Sequence, residues 1–373
     1  MWKAHSRGDI ERLNVSLLNN TSGEVTSICW HVHPSFESCS QQPNDSLLAA
    51  GTFSGLTTIW NIDGSLRASL PSIHGPIFNI KFNPSASMLV TCSAGGVFEI
   101  YTTRDWTSMF TVAPPGRVWD IQANIPHLAW LDDSRLAILG ATTPNAIVNC
   151  WQFDDTRATE PFLQLSGHEA LINDIQYDKH SELIATASDD QTVRLWKTDR
   201  SAPYHEFRNH SSSVRSVAFQ PQTEMDSSTQ ILASASYDAT ICLYDITNLT
   251  HLYTFGNQIH NFPHDRISCI SWRPDGKFLS SGDLEGVVGL WEWRDSSEPR
   301  PFAIWAPDRI AEAEAENLSN GMNGHKDELS RPVFQIHWQK NSQGFIVCRE
   351  NRRVNPNLVE CTDVLGRFDS LGF

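Results

Sequence analysis

One register recurs seven times along this chain and restricts its fold more than any other feature. Take an aromatic residue as reference. An aliphatic residue lies two positions before it and a β-branched residue five before. The sets are Val25/Ile28/Trp30, Ile77/Ile80/Phe82, Ile125/Leu128/Trp130, Ile172/Ile175/Tyr177, Val214/Val217/Phe219, Ile267/Ile270/Trp272 and Val333/Ile336/Trp338. The aromatics are spaced by 52, 48, 47, 42, 53 and 66 residues. β-Branched and aromatic residues in such runs suit strands buried on both faces. A fixed pattern at this period means an array of one supersecondary unit, which cannot bury both faces alone and must stack on its copies.

The stretch 166–198 is the fullest unit: a run holding Ile172, Ile175 and Tyr177, a second at Leu183–Ala185, the turn signal Asp189-Asp190, and a third run closing on Trp196. Third runs elsewhere close on Trp60, Tyr101, Trp151, Tyr244 and Trp291. With Gly167-His168 at its start and Leu195-Trp196 at its end, the unit resembles the WD-repeat family; Lys197 stands where an Asp usually follows. The resemblance implies an all-β, seven-bladed propeller, or an incomplete eight-bladed relative. It also implies a buried polar chain in which Trp196 meets Thr186, then His168, then Asp190. The next repeat keeps His210, Ser234 and Asp238 with Tyr244. The sixth keeps His264 and Ser281, with Glu285 in the acid's place, and the polar pattern decays in the others. His, hydroxyl and Asp also read as a hydrolase triad, but no nucleophile elbow or oxyanion-hole pattern accompanies them. The structural reading is preferred, and no catalytic residue is expected.

In this family each repeat begins with the outer strand of the preceding blade. Candidates are residues 65–70, 108–112, 161–165, 204–207, 252–255 and 301–304. The seventh blade lacks such a strand unless residues 10–18 supply it. The expected organisation is therefore an N-terminal segment, 1–23, carrying a ring-closing strand, and a propeller over 24–373 with an insertion at 295–331. Within that insertion, residues 310–318 (IAEAEAENL) read as a short acidic helix, usually a solvated face.

Particular stretches resemble the transducin-beta-like corepressor subunits of histone deacetylase complexes: VTSICW, LLAAGTFSGLTTIWNIDGSLRASLPSIHGPIFNIKFN, the 166–198 unit, NHSSSVRSVAF with ILASASYDATICLYD after a long hairpin, and PVFQIHW. The similarity covers about residues 24–364. It implies a non-catalytic nuclear scaffold that binds peptide segments of deacetylase or corepressor subunits, or histone tails. Those proteins also carry a Lis-homology segment and one more repeat in front; neither lies in these residues, so self-association is not carried over. By the same analogy, partners meet the residues flanking each β-branched position and the residue before each acid. Aromatics and Arg dominate binding energy, which selects Phe53, Phe78, Tyr237, Phe334, Arg215 and Arg266, with Asn173 and Asp189 beside them.

Two further readings remain. A substrate receptor of a cullin-type ubiquitin ligase would resemble proteins with W-D-x-R after a third strand. Here Trp196 is followed by Lys197-Thr198-Asp199, and Tyr244-Asp245 by Ile246-Thr247. A general WD-repeat assembly platform is the blander alternative. The net charge of −15 disfavours nucleic acid and anionic membranes and attracts basic partners. No apolar run reaches 18 residues, and residues 1–10 lack a signal-peptide core. The eight Cys show no C-x-x-C spacing and read as reduced thiols of an intracellular protein. His31-x-His33 lacks an acid or Cys to complete a metal site, so no metal, cofactor or small-molecule substrate is expected.

Overall fold

The computed structural model describes residues 2–4, 10–12, 25–31, 47–61, 64–93, 96–112, 127–139, 147–153, 160–222, 229–256, 266–294, 299–305, 333–338, 345–350 and 359–364. The chain forms two compact units, Met1–Gly167 and His168–Phe373. Among the described residues every regular element is a β-strand.

In the first unit, Trp2–Ala4 pairs with Ile10–Arg12, and three four-stranded antiparallel meanders follow. The first sheet takes Val25–His31, Leu47–Thr52, Leu56–Asn61 and Leu66–Pro71. The second takes Ile77–Phe82, Met88–Ser93, Phe98–Thr102 and Ser108–Val112, and the third Leu128–Trp130, Arg135–Leu139, Ile147–Gln152 and Leu163–Ser166.

The second unit holds four sheets. The fourth is Ile172–Asp178, Leu183–Ser188, Val193–Lys197 and His205–Phe207; the fifth is Val214–Phe219, Ile231–Ser236, Thr240–Asp245 and Thr250–Gly256. The sixth is Ile267–Trp272, Phe278–Asp283, Val288–Glu292 and Arg300–Trp305. The seventh has three described strands, Val333–Trp338, Phe345–Glu350 and Val359–Val364. The fourth strands of the first six sheets fall on the outer-strand segments read from the sequence. The ring-closing strand is expected within residues 10–18. Its described part, Ile10–Arg12, pairs with Trp2–Ala4, and residues 13–18 lie outside the described residues, as does the acidic segment 310–318.

The recurring triplet makes the core. Ile77, Ile80 and Phe82 pack with Leu47, Ala49 and Ile59 of the sheet before. Leu128 and Trp130 join Val90, Phe98 and Ile100 in the same way. In the second unit Val214 and Val217 bury against Ala185, Val193 and Leu195, and Ile267, Ile270 and Trp272 against Ala233, Ile241 and Leu243. Trp196 and Trp291 are fully buried; each removes about 150–250 Å² from water, about 4–6 kcal/mol as an upper bound. The reference indoles also tie neighbouring sheets together. Trp130 Nε1 donates to the Lys81 carbonyl at 3.2 Å, and Trp272 Nε1 to the Ala218 carbonyl at 3.1 Å.

Two local devices recur at one end of the sheets. The second and third strands are joined by a four-residue turn, closed by Gly55 N to Thr52 O, Gln191 N to Ser188 O, Ala239 N to Ser236 O and Gly286 N to Asp283 O. Its last residue has positive φ, met by Gly at 55 and 286 and accepted by Gln191 and Ala239. The first strands are bulged: pairing skips residues 26, 78, 173, 215, 268 and 334. A bulge re-aims the side chain it carries.

Candidate functional site

The buried polar chain of the fourth sheet is complete. His168 Nε2 lies 2.7 Å from Thr186 Oγ1, which accepts the Trp196 indole N–H at 2.9 Å; His168 Nδ1 lies 2.7 Å from Asp190 Oδ2. In the fifth sheet His210 bridges Ser234 at 2.7 Å and Asp238 at 3.0 Å, and Ser234 meets the Tyr244 hydroxyl at 3.3 Å. In the sixth, Trp291 Nε1 donates to Ser281 Oγ at 2.9 Å. His264 lies outside the described residues, Glu285 is exposed, and buried Asp283 instead accepts the turn amides of Glu285 and Val287.

These chains are inaccessible. The His168 side chain is 0% exposed and that of Asp190 7%. Their electrostatics differ between sheets. Burial pulls the His168 imidazole below its ordinary value, more than the Asp190 hydrogen bond restores, and the Arg194 cation pushes the same way. Burial also opposes protonation of His210, but the Asp238 hydrogen bond and the Cys242 sulfur outweigh it and raise the ring to about 9. Asp190 and Asp238 are desolvated, yet hydrogen bonds from their histidines and from Thr192 and Thr240 hold both well below the usual carboxylate range.

Seven of the eight expected partner-binding residues sit on the two recurring devices, and Arg266 lies just before the sixth sheet's first strand. Phe53, Asp189 and Tyr237 occupy the second place of the turn; Phe78, Asn173, Arg215 and Phe334 are bulge residues. Turn and strand start are joined by the amides of Asp189, Tyr237 and Leu284, which donate to the carbonyls of Leu171, Ser213 and Arg266. Five of the eight come together across the fourth, fifth and sixth sheets. Asn173 Nδ2 donates to Asp189 Oδ1 at 2.7 Å, and Arg215 donates to Asn173 Oδ1 at 2.6 Å. The Arg215 guanidinium lies 3.6 Å from Asp189 and 5.0 Å from the Tyr237 ring centre; Arg266 lies 5.7 Å from that centre on the next sheet. Phe53 and Phe78 belong to the other unit, where Phe53 is 39% exposed and Phe78 half-buried. Phe334 is placed by its backbone alone.

Asn173 is more than a surface contact. It is 3% exposed and also donates to the Val214 carbonyl at 2.8 Å. Thr26 and Ser268, the matching bulge residues, donate to the carbonyls of Ile77 and Val333. The position that analogy assigned to partners thus also clamps the first, fourth and sixth sheets to the sheet that follows. Sequence reading also missed Asp174. Its buried carboxylate accepts the Ser216 hydroxyl and the Val217 amide, each at 3.1 Å, and Ser216 Oγ accepts the Ile270 amide at 3.4 Å. A lone Asp inside an apolar run was the available signal. Among the described residues no cluster of His, Cys, Asp or Glu could hold a metal ion, and Cys29, Cys92, Cys150, Cys242 and Cys269 form no disulfide with one another. No described helix is long and apolar enough to cross a membrane.

Residues 159–197, 201–245 and 256–292 match the family described as WD domain, G-beta repeat. Pre-mRNA-processing factor 19 homolog 2 of Arabidopsis thaliana is 28% identical over 141 residues, 37% of this chain and 25% of that protein. The WD40 repeat-containing protein HOS15 of the same plant is 26% identical over 267 residues, 70% of this chain and 39% of that protein. The chain thus spans well under half the length of these relatives. Among solved structures, the C-terminal WD40 domain of Sif2 aligns with a TM-score of 0.64 at 18% identity, covering 88% of this chain and 80% of that one. Its meandering antiparallel sheets and this likeness of fold give the chain the all-β fold class of WD40 propellers, and three of its stretches match the repeat.

Proposed function

We propose that this chain is a non-catalytic protein-interaction scaffold, a subunit of a nuclear histone deacetylase corepressor assembly. In this reading it holds a peptide of a partner subunit, or a histone tail, on the edge formed by the bulges and turns. The observation that carries it is the cluster of Asn173, Asp189, Arg215, Tyr237 and Arg266: its cationic and aromatic groups are partly or fully exposed, while the histidine–acid chains are buried. Aromatic and Arg side chains in such a setting are the usual anchors of protein interfaces. The corepressor assignment rests on the sequence resemblance, and the histone tail on the charge of −15.

Affinity purification from nuclear extract tests the reading, comparing wild type with Tyr237→Ala and Phe53→Ala. Deacetylase subunits are expected with the wild type and at reduced yield with both variants. Their absence defeats the corepressor assignment, and equal recovery from all three proteins defeats the chosen edge.

A further inference from the structure

We infer that the Arg215–Tyr237–Arg266 cluster is a subsite for a carboxylate side chain, an Asp or Glu of a partner peptide. This rests on the edge proposed above and narrows its ligand against the charge of the whole chain. Three observations carry it. First, two guanidinium groups lie over the Tyr237 ring, that of Arg215 at 5.0 Å from its centre and that of Arg266 at 5.7 Å. A guanidinium over a ring face keeps its edge N–H groups free, and those N–H groups match a carboxylate in a fork.

Second, the charges do not balance. Arg215 is answered by Asp189 at 3.6 Å and by the Asn173 carboxamide at 2.6 Å. Arg266 is exposed, and none of the ion pairs between described residues includes it. Among the described residues the cluster thus holds two guanidinium cations and one carboxylate, on a chain of net charge −15. One surplus charge suits a carboxylate better than a doubly charged phosphate.

Third, the cluster is organised before a ligand arrives. The Tyr237 amide is bonded to Ser213, and the Arg266 carbonyl to Leu284. The Arg215 side chain is held by Asn173, itself buried and bonded to the next sheet. Little ordering remains to be done on binding, which favours affinity.

The test is selection from a displayed random-peptide library on the full chain, followed by binding of the selected peptides to Arg266→Gln, Arg266→Glu and Tyr237→Ala. Selected peptides are expected to share an Asp or Glu at one position. They should bind Arg266→Gln about tenfold more weakly, the loss of one charged hydrogen-bonded contact. Selection on Arg266→Glu should place Lys or Arg at that position. Peptides that lack a shared acid, or that bind Arg266→Gln as well as wild type while losing Tyr237→Ala, overturn the carboxylate subsite and leave the edge standing. No selected peptide at all, or peptides indifferent to Tyr237→Ala, removes the edge and the subsite with it.

Discussion

The Asn173 carboxamide donates to the Val214 carbonyl of the neighbouring sheet across 2.8 Å. The same nitrogen reaches Asp189, and its oxygen accepts from Arg215. Truncation leaves these partners without it in a largely dry seam. Asn173→Ala should cost about 2–3 kcal/mol. The isosteric Asn173→Asp should not rescue it, because an oxygen cannot donate and would face a carbonyl and a carboxylate. Urea unfolding of both variants checks this; an Asn173→Asp protein as stable as wild type refutes the clamp.

The two polar chains should respond unequally to the loss of their terminal hydrogen bond, which Trp196 donates and Tyr244 accepts. The Trp196 indole bonds Thr186 at 2.9 Å, whereas the Tyr244 hydroxyl meets Ser234 at 3.3 Å. Trp196→Phe removes a good hydrogen bond and opens a cavity, together about 2–3 kcal/mol. Tyr244→Phe removes a weak bond and little volume, about 1 kcal/mol or less. Its ring keeps its stack on Phe207, with centroids 4.1 Å apart. Thermal melts should therefore rank Tyr244→Phe clearly above Trp196→Phe; the reverse order counts against the geometry.

The two histidines should titrate in opposite directions. The folded-state value of His168 is lowered, so protonation favours the unfolded chain. Its contribution is present above about 6.5 and is lost as pH falls below that. The value of His210 is raised to about 9. Its contribution is complete below about 6.5 and fades as pH rises through 9. Asp190 and Asp238 are lowered, so their contributions hold above about 3.9 and are lost in stronger acid. NMR ring signals followed with pH should find His168 neutral and His210 protonated at neutral pH. Cys242→Val should lower the His210 midpoint, since the sulfur helps to raise it. A protonated His168 at neutral pH refutes this assignment.

Much of the fold was legible because one alternation of residue types repeats at a steady period: every triplet position that is described lies in, or pairs with, a first strand. Polar partners were legible where His168, Thr186, Asp190 and Trp196 all survive. Other features were hidden for a physical reason. A bulge is one unpaired residue in a strand, and Thr26, Asn173, Arg215 and Ser268 share no side-chain type that would mark it. A lone Asp inside an apolar run marked Asp174, but not its role, because the partners of its Oδ2 lie more than 40 residues away on the next sheet. The differing environments of His168 and His210 depend on whether Arg194 or Cys242 lies opposite the hydroxyl that binds the ring, a relation that the register of second and third strands creates.

Close approach of neighbouring sheets sets the last expectation. A Cβ on Gly51 would lie 2.5 Å from Ile77 Cγ2 and 2.9 Å from Ile77 Cβ; one on Gly282 would lie 2.5 Å from Val333 Cγ1 and 2.8 Å from its Cβ. The obstructing atoms belong to the β-branched residue that starts the next first strand, stiff about χ1 and fixed in the sheet. Ala187 and Ala235 hold the matching places in the fourth and fifth sheets, fully buried. The added methyl, harmless there, must push the first and sixth sheets away from their neighbours. Gly51→Ala and Gly282→Ala should each cost about 1–3 kcal/mol through overpacking, and pairing Gly51→Ala with Ile77→Ala should recover part of that loss. Stability of the single and double variants in denaturant decides it: strictly additive losses would mean that Gly51 and Ile77 do not share a seam.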